Sequence, residues 1–256
     1  MLLHVTEQGE GAPVCLLHGL FGRSQNLAGV ARRLAGRFRV LSMDLRNHGA
    51  SPHAAGMTYP AMAADMLDTL AAHDALPVRL LGHSMGGKVA MVAALTAPAE
   101  VTRLVVADIA PVAYHHHNAG AARAMLALPM VPGLDRRQAD AALSAGVPDA
   151  AIRGFLLQNM AFGPVPAWRI GLAEIIAGMA DIEGWPDLAF DPCYTGPTMF
   201  IAGGRSDYVL TDYRATITAL FATATLVELT DAGHWLHADQ PQAFGDAVMD
   251  FFDAVK

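Results

Sequence analysis

The sequence predicts one α/β domain, in which a mostly parallel sheet is wrapped by helices and interrupted by a helical insertion. Three observations lead to this prediction. Short apolar runs alternate with helical patterns from the N-terminal region up to Asp108. From Val112 to about Pro192 the chain is rich in Ala, Met and Pro and shows no convincing strand. The alternation then resumes at Thr198 and continues to the last helix.

Each predicted strand is a short apolar run between turn signals, as is typical of buried parallel strands. Such runs are too short to be helices, and parallel strands require the long crossover connections that the intervening helical patterns supply. The runs are VCLL (14–17), VLSM (40–43), VRLL (78–81), LVVA (104–107), TMFIA (198–202) and ATLVEL (224–229).

The predicted helices fill the crossovers and the C-terminal region. In the second of them Thr58 is the expected N-cap, and Pro60 stands in the first turn, where a missing N–H costs nothing. A last helix opens with Asp239 or Gln240 as its cap and Pro241 near its first turn. The three earlier helices are expected near Asn26–Arg37, Tyr59–Asp74 and Met85–Thr96.

The composition indicates a globular protein with a sizeable core. Hydrophobic residues make up 53% of the 256 residues and charged residues 16%. The net charge of −7, with no basic stripe, argues against nucleic-acid binding. No apolar stretch reaches membrane-spanning length without interruption, so we expect no membrane span.

The N-terminus and the cysteines favour a cytoplasmic location. The first residues lack a cationic segment followed by an apolar run, so we expect no signal peptide. Cys15 and Cys193 have neither metal-binding nor redox spacing, and we expect free thiols in a reducing compartment. The run His115–His117 has no carboxylate or cysteine at ligand spacing, so no metal site is predicted there. We expect a monomer or a small homo-oligomer.

A serine framed by glycines stands at one strand-to-helix junction. Ser84 lies in the segment GHSMGG (82–87), at the edge where open α/β sheets bind their ligands. In a G-x-S-x-G frame the tight turn strains the serine and displays its hydroxyl, while the glycines leave room for neighbouring backbone. The N-terminus of the following helix favours developing negative charge. We therefore predict that Ser84 is a nucleophile.

A serine hydroxyl needs a base, and His234 is the best placed of the eleven histidines. It lies between the last predicted strand and the last helix, in a loop that a doubly wound sheet brings beside the nucleophile. The chain order of serine, acid and histidine also fits. His237 is the weaker alternative, and His83 and His18 are expected to be structural.

Two backbone N–H groups are expected to hold a developing oxyanion. One belongs to Met85, directly after Ser84. The other comes from the loop after the first long strand, where His18 and Gly19 let the backbone turn sharply. This turn leaves the N–H of Leu20, or less favourably that of Phe21, directed inward.

Two aspartates compete to orient His234. Asp207 follows the penultimate strand, which is the usual position of the carboxylate of a triad. Asp108 ends the strand after the nucleophile helix, and a carboxylate there reaches the same imidazole. Either would hold the tautomer and stabilise the imidazolium, so the residues alone leave the choice open. Asp231 is so close to His234 that we interpret it as a turn residue.

Several segments together resemble the α/β-hydrolase superfamily, and more closely its small YbfF-type esterases. The resemblance implies an α/β-hydrolase fold with a mostly parallel eight-stranded sheet, a small helical cap, and esterase or thioesterase activity without a cofactor. In relatives of this type the position of Asp207 is often not acidic, so the resemblance favours Asp108. The matching segments keep their expected order over nearly the whole chain: HGLFG (18–22), DLRNHGASPH (44–53), GHSMGGKVAM (82–91), DIAPV (108–112) and AGHWLHAD (232–239).

The predicted division assigns residues 1–111 and 193–256 to the hydrolase core and 112–192 to the cap, an insertion rather than an independent domain. The apolar and Met-rich side chains of the cap are expected to form its small core and an adaptable roof over Ser84. Truncation of Phe162 or Trp168 should then reduce selectivity for long acyl chains. The candidates for substrate contact are Phe21, Phe162, Trp168 and Trp235.

Four basic residues are candidates for binding an acidic group such as a coenzyme A phosphate. Each is more simply explained as a surface or bracing charge. They are Arg46, Lys88, Arg123 and Arg205.

These residues predict a serine hydrolase, a carboxylesterase or thioesterase that cleaves acyl esters or thioesters through an acyl-enzyme on Ser84. The alternative is a carbon–carbon bond hydrolase or lyase on the same serine and histidine scaffold, because the segment GHSMGG does not exclude it. A non-catalytic binding protein is disfavoured, since both Ser84 and His234 are present.

Overall fold

The computed structural model describes residues 1–114, 118–188 and 192–254. It contains a seven-stranded sheet of order β1-β3-β2-β4-β5-β8-β9 and a separate two-stranded sheet, β6-β7. In the large sheet β1 runs antiparallel to β3, and the other neighbours are parallel. The strands are β1 (Val5–Gln8), β2 (Pro13–Leu17), β3 (Arg39–Met43), β4 (Val78–His83), β5 (Val101–Ala107), β6 (Met160–Ala161), β7 (Ala167–Trp168), β8 (Thr198–Gly203) and β9 (Ala224–Leu229).

Eleven α-helices are present in the described ranges, and the predicted ones are among them. The Thr58 hydroxyl accepts a hydrogen bond from the Ala61 N–H at the start of the second helix, and Gln240 stands at the N-cap position of the last one without a capping hydrogen bond from its side chain. The helices are α1 (Ala28–Leu34), α2 (Tyr59–Ala72), α3 (Met85–Thr96), α4 (Asn118–Ala127), α5 (Arg136–Leu143), α6 (Ala150–Leu156), α7 (Leu172–Ala177), α8 (Met179–Glu183), α9 (Arg214–Leu220), α10 (Leu236–Asp239) and α11 (Pro241–Asp253).

The core lies on both faces of the large sheet because successive side chains of a strand point to opposite faces. In β2, Cys15 and Leu17 pack in one buried cluster with residues of α2 and α3. Val14 and Leu16 pack in a second cluster with residues of α1 and α11. Burial on both faces explains why the central strands read as unbroken apolar runs.

The large sheet has seven strands in the described residues, where the family resemblance implies eight. The N-terminal residues are held by side chains instead of pairing as a further strand. The Met1 ammonium lies 2.7 Å from Asp65 Oδ1. The Leu3 N–H donates to Thr69 Oγ1 at 3.0 Å, and the His4 N–H donates to a serine hydroxyl at 2.8 Å. The prediction of a mostly parallel α/β-hydrolase sheet is confirmed, and its strand count is corrected.

The segment between β5 and β8 is mainly helical and contains α4 to α8. It also contains the hairpin β6–β7, which the sequence did not predict because each strand has only two residues. Part of the segment has its own apolar core, which includes Leu128, Leu143 and Met160. It also contacts the rest of the chain, since the Gly171 N–H donates to Asn47 O at 2.9 Å.

The sequence predicted neither a metal site in the histidine run nor a membrane span. The run His115–His117 lies outside the described residues. Among the residues that the structure does describe, no helix is long and apolar enough to cross a membrane.

Candidate active site

Ser84 lies at a sharp turn between β4 and α3. Its backbone has φ +53° and ψ −121°, a conformation that residues other than glycine rarely adopt. Its N–H donates to Ala107 O at the end of the neighbouring strand β5, at 3.0 Å, and α3 begins at the next residue. The turn therefore fixes this serine at the carboxyl end of the sheet and at the N-terminus of a helix.

The glycines around Ser84 are required by close backbone contacts. A Cβ atom on Gly82 would overlap the carbonyl oxygen of Gly86. A Cβ atom on Gly86 would lie 2.5 Å from His18 O and 2.6 Å from Leu17 O, both backbone atoms that cannot swing away. The G-x-S-x-G frame thus follows from the passage of two backbone segments beside the turn.

Asp108 and His234 form a direct hydrogen bond. His234 Nδ1 lies 2.7 Å from Asp108 Oδ2, and because a carboxylate only accepts, the Nδ1–H donates. The Asp108 side chain is fully buried, whereas that of His234 is 27% exposed. In the neutral ring this arrangement leaves Nε2 of His234 as a hydrogen-bond acceptor.

The carboxylate of Asp108 has two further donors. The Gly203 N–H donates to Oδ1 at 2.9 Å, and the Ser206 hydroxyl forms a short hydrogen bond to Oδ2. Asp108 itself has φ +50°, so its backbone as well as its side chain is fixed at the end of β5. Asp207, the rival acid, is exposed, and no hydrogen bond joins it to His234 within the described parts of the chain.

The rings of Tyr208 and His83 pack against His234, and His237 contacts His83 in turn. The Tyr208 ring stacks on the His234 ring, with centroids 3.9 Å apart and an interplanar angle of 18°. His83 Nε2–H donates to His234 O at 2.8 Å, and burial is the main cause that lowers the pKa of His83. His237 contacts the His83 ring, and burial lowers its pKa to about 4. Of these three histidines, His234 is the one whose Nδ1 forms a hydrogen bond with a carboxylate in the described residues.

The loop after β2 is held by two neutral histidines. The Leu45 N–H donates to His18 Nε2 at 3.0 Å, which leaves the His18 Nδ1–H to donate to Gly19 O. The Phe21 N–H donates to His48 Nε2 at 3.1 Å. Burial lowers the pKa of His48 to about 3, so it acts as an acceptor at neutral pH. Sequence reasoning missed His48, because nothing local in the segment DLRNHG relates it to Phe21.

Two amides near Ser84 remain available. Phe21 uses its N–H for His48, whereas the Leu20 N–H has no acceptor among the described residues. Met85 is the first residue of α3, and an N–H at that position has no acceptor within its helix. Of the three N–H groups predicted as oxyanion donors, that of Phe21 has a partner in the described residues, whereas those of Leu20 and Met85 have none.

A cavity of about 670 Å³ contains Ser84 and His234 in its lining. Phe21 and Trp235, two of the predicted contact residues, also line it. Its other lining residues include His18, Leu20, Asn26, Arg136, Ile152, Phe155, Gln158, Tyr208 and His237.

Phe162 and Trp168 lie outside this lining, which corrects their expected place in the roof. Phe162 is 37% exposed on the hairpin β6–β7. Trp168 donates its Nε1–H to Met125 O at 3.1 Å and packs against the small apolar core of the insertion. Phe155 takes the expected position instead, with its ring 5.4 Å from that of Trp235.

The four basic candidates have bracing or surface positions. Arg46 is buried and pairs with Asp65 at 2.5 Å. Lys88 is buried and donates to Gly184 O at 2.5 Å, and burial lowers its pKa to about 7. Arg123 and Arg205 are exposed. In the described ranges, no group of three or more His, Cys, Asp or Glu side chains could hold a metal ion.

Comparison with known proteins agrees with this architecture. Residues 16–247 match the family model described as "Alpha/beta hydrolase family". The chain is 39% identical to the sn-1-specific diacylglycerol lipase ABHD11 of Xenopus laevis over 254 residues, covering 95% of this chain and 80% of the relative. It is 36% identical to esterase YbfF of Escherichia coli over 244 residues, covering 94% and 93%.

Among solved structures, a marine microorganism esterase is 32% identical and superimposes with a TM-score of 0.93, covering 98% of this chain and 99% of that one. These relatives are named as esterases and lipases, which supports a hydrolase of the esterase type. The chain belongs to the α/β-hydrolase family.

Proposed function

We propose that the protein is a serine esterase that cleaves acyl esters or thioesters through a covalent acyl-enzyme on Ser84. One observation carries the proposal. Ser84 shares a cavity with His234, whose Nδ1–H is held by the buried carboxylate of Asp108. A strained, displayed serine beside an oriented imidazole is the arrangement that nucleophilic acyl transfer requires.

In the first half of the reaction, Ser84 Oγ attacks the acyl carbon while His234 Nε2 takes the hydroxyl proton. The C–O or C–S bond to the leaving group then breaks, and His234 gives this proton to the departing alkoxide or thiolate. In the second half a water attacks the acyl-enzyme, and His234 takes its proton. The carboxylic acid leaves, and the proton returns to Ser84 Oγ.

Asp108 has the role of the triad acid in this proposal. Its carboxylate fixes the Nδ1–H tautomer of His234 and stabilises the imidazolium formed in each half-reaction. The hydrogen bonds from Gly203 and Ser206 hold the carboxylate in that position. The N–H groups of Leu20 and Met85 are the proposed donors to the oxyanion, because neither is used elsewhere in the described loops.

The proposed substrate has an apolar acyl part. Phe155, Trp235 and Ile152 bring apolar surface into the cavity that contains Ser84, and residues 112–192 would act as the cap over it. The relatives named as a diacylglycerol lipase and as esterases support an ester substrate. A cytoplasmic location is part of the proposal, because Cys15 and Cys193 are free thiols.

The test is hydrolysis of para-nitrophenyl esters from acetyl to dodecanoyl, and of acyl thioesters of matched length, by the wild type and by Ser84→Ala. We expect activity in the wild type that falls by about 10⁴-fold or more in the variant. The melting temperature of the variant should stay close to that of the wild type. Activity that survives in a folded Ser84→Ala protein would exclude Ser84 as the nucleophile.

A further inference from the structure

A second, smaller cavity adjoins the one that contains Ser84. Its volume is about 190 Å³, and Gln158 belongs to the lining of both cavities. The side chain of Gln158 accepts a hydrogen bond from Asn26 Nδ2 at 3.4 Å. The exposed Gln158 amide, which this bond joins to Asn26, therefore lies at the boundary of the two cavities. The polar residues in the lining of the second cavity are His4, Arg23, Gln25, Asp44, Gln158, Asn159 and Arg169.

Two arginines of this lining have no anionic partner among the residues that the structure describes. Neither Arg23 nor Arg169 forms an ion pair within the described ranges, whereas Arg39, Arg46 and Arg153 each contact a carboxylate. The Nε atom of Arg23 is buried and has no hydrogen-bond acceptor among the residues that the structure describes. A buried guanidinium N–H without an acceptor is costly unless a ligand satisfies it.

Among the described residues, one carboxylate lines this cavity, that of Asp44, and it already accepts hydrogen bonds. Its Oδ1 accepts the Ser24 N–H at 2.6 Å, and its Oδ2 accepts the Ala50 N–H at 2.9 Å. These bonds fix the loops around the cavity and leave the carboxylate directed at backbone donors. Arg23, which is half-buried, and Arg169, which is exposed, are therefore the cationic side chains of this lining that no carboxylate contacts within the described residues.

The backbone of both arginines is connected to the loop beside Ser84, by sequence for Arg23 and by hydrogen bonds for Arg169. Arg23 follows the segment HGLFG of that loop. Arg169 directly follows β7, and its N–H donates to Asn159 O at 2.8 Å. The Asn159 amide in turn donates to Phe21 O at 2.7 Å. This chain of hydrogen bonds connects the backbone at Arg169 to the loop that carries Arg23 and lines the cavity containing Ser84.

We propose that the second cavity binds an anionic group, a phosphate or a carboxylate, through Arg23 and Arg169. Planar guanidinium groups match the oxygens of both anions and form charge-assisted hydrogen bonds with them. The anion is either the far end of a substrate whose ester bond lies at Ser84, reached past Gln158, or a free anion. The first case rests on the proposed esterase activity, and the second does not.

The direct test is calorimetric titration of the protein with inorganic phosphate. We expect wild-type protein to bind phosphate, and a double variant, Arg23→Gln with Arg169→Gln, to bind it at least about tenfold more weakly. Arg32→Gln, which removes an exposed arginine of α1, should bind phosphate as the wild type does. Absence of binding to the wild type, or equal binding to the wild type and a folded double variant, overturns the site.

The origin of the anion is tested with two esters that differ in the end of the acyl chain. Para-nitrophenyl butyrate is neutral, and the para-nitrophenyl hemiester of glutarate ends in a carboxylate. If the substrate supplies the anion, the ratio of kcat/KM for the hemiester to that for the butyrate falls about tenfold in the double variant. An unchanged ratio together with lost phosphate binding assigns the cavity to a free anion. If neither ester is hydrolysed, the proposed function fails, and the phosphate titration still decides this inference.

Discussion

The loops at the carboxyl end of the sheet and the insertion above them meet at one cavity, but they are constrained in different ways. Ser84 and Asp108 both have positive φ angles, directly after neighbouring parallel strands. Backbone atoms of other segments pack against the glycines of the serine turn. In the insertion, Phe155 contributes a half-buried ring through ordinary packing.

This difference indicates that the strand ends determine the reaction, whereas the insertion determines which acyl groups are accepted. The strand ends hold polar atoms to within a hydrogen bond, so a substitution there should change the reaction itself. The helices of the insertion offer apolar surface, part of which remains exposed, for example at Leu126 and Ile152. A substitution there should change which acyl group fits.

The largest effect on activity is expected from substitution of Asp108, the proposed acid of the triad. Asp108→Asn should lower kcat by about 10⁴-fold, because an amide at this position no longer favours the Nδ1–H tautomer of His234 or stabilises its cation. The matched control, Asp207→Asn, removes an exposed carboxylate and should retain wild-type kcat. Steady-state ester hydrolysis by both variants decides this, and equal loss in the two would contradict the assignment of Asp108.

An intermediate effect is expected from His48 and His237, two histidines whose pKa values are lowered by burial. Burial holds the pKa of His48 at about 3 and that of His237 at about 4, below the value of about 6.5 in an unfolded chain. Between about pH 6.5 and pH 4 the unfolded chain therefore binds more protons, and acid should destabilise the fold by up to about 1.4 kcal/mol per pH unit for each histidine.

Urea unfolding of the wild type at several pH values in this range measures that slope. The slope should become shallower in His48→Gln, whose side chain does not titrate. A free energy of unfolding that stays constant from neutral pH down to about pH 4 would show that these histidines are not held neutral by the fold.

The smallest effect is expected in the roof of the cavity. Phe155→Ala should reduce the preference for a long over a short acyl chain by about tenfold, since it removes apolar surface worth somewhat more than 1 kcal/mol. Phe162→Ala removes an equivalent ring from the exposed hairpin and should leave the preference unchanged. Comparison of kcat/KM for butyrate and dodecanoate esters tests both, and a larger change in Phe162→Ala would reverse our description of the roof.

Sequence patterns were sufficient for the parts of the fold that have one dominant constraint. The apolar runs of the parallel strands, the turn at Ser84 and the loop carrying His234 follow from burial on both sheet faces and from backbone crowding. The choice between Asp108 and Asp207 did not follow from the residues alone, because both aspartates lie in loops that follow a strand at the same edge of the sheet. Only the direction of the side chains and the donors Gly203 and Ser206 separate them.

Other features depend on contacts between distant segments. The stacking of Tyr208 on His234, the bond from Phe21 to His48 and that from Asn159 to Phe21 join residues far apart in the chain. No local pattern predicts them. The roof was also misjudged, because a large apolar residue such as Trp168 packs equally well into a small core within the insertion as into a substrate cavity.

The most direct test of the central claim is covalent labelling with an organophosphonate ester that carries a fluorophore. We predict stoichiometric labelling of Ser84, located by mass spectrometry of the peptide that contains it. Labelling should be absent in Ser84→Ala and strongly slowed in His234→Ala, because the hydroxyl then lacks its base. Labelling at another residue, or undiminished labelling of folded Ser84→Ala protein, would contradict the claim that Ser84 is the activated nucleophile.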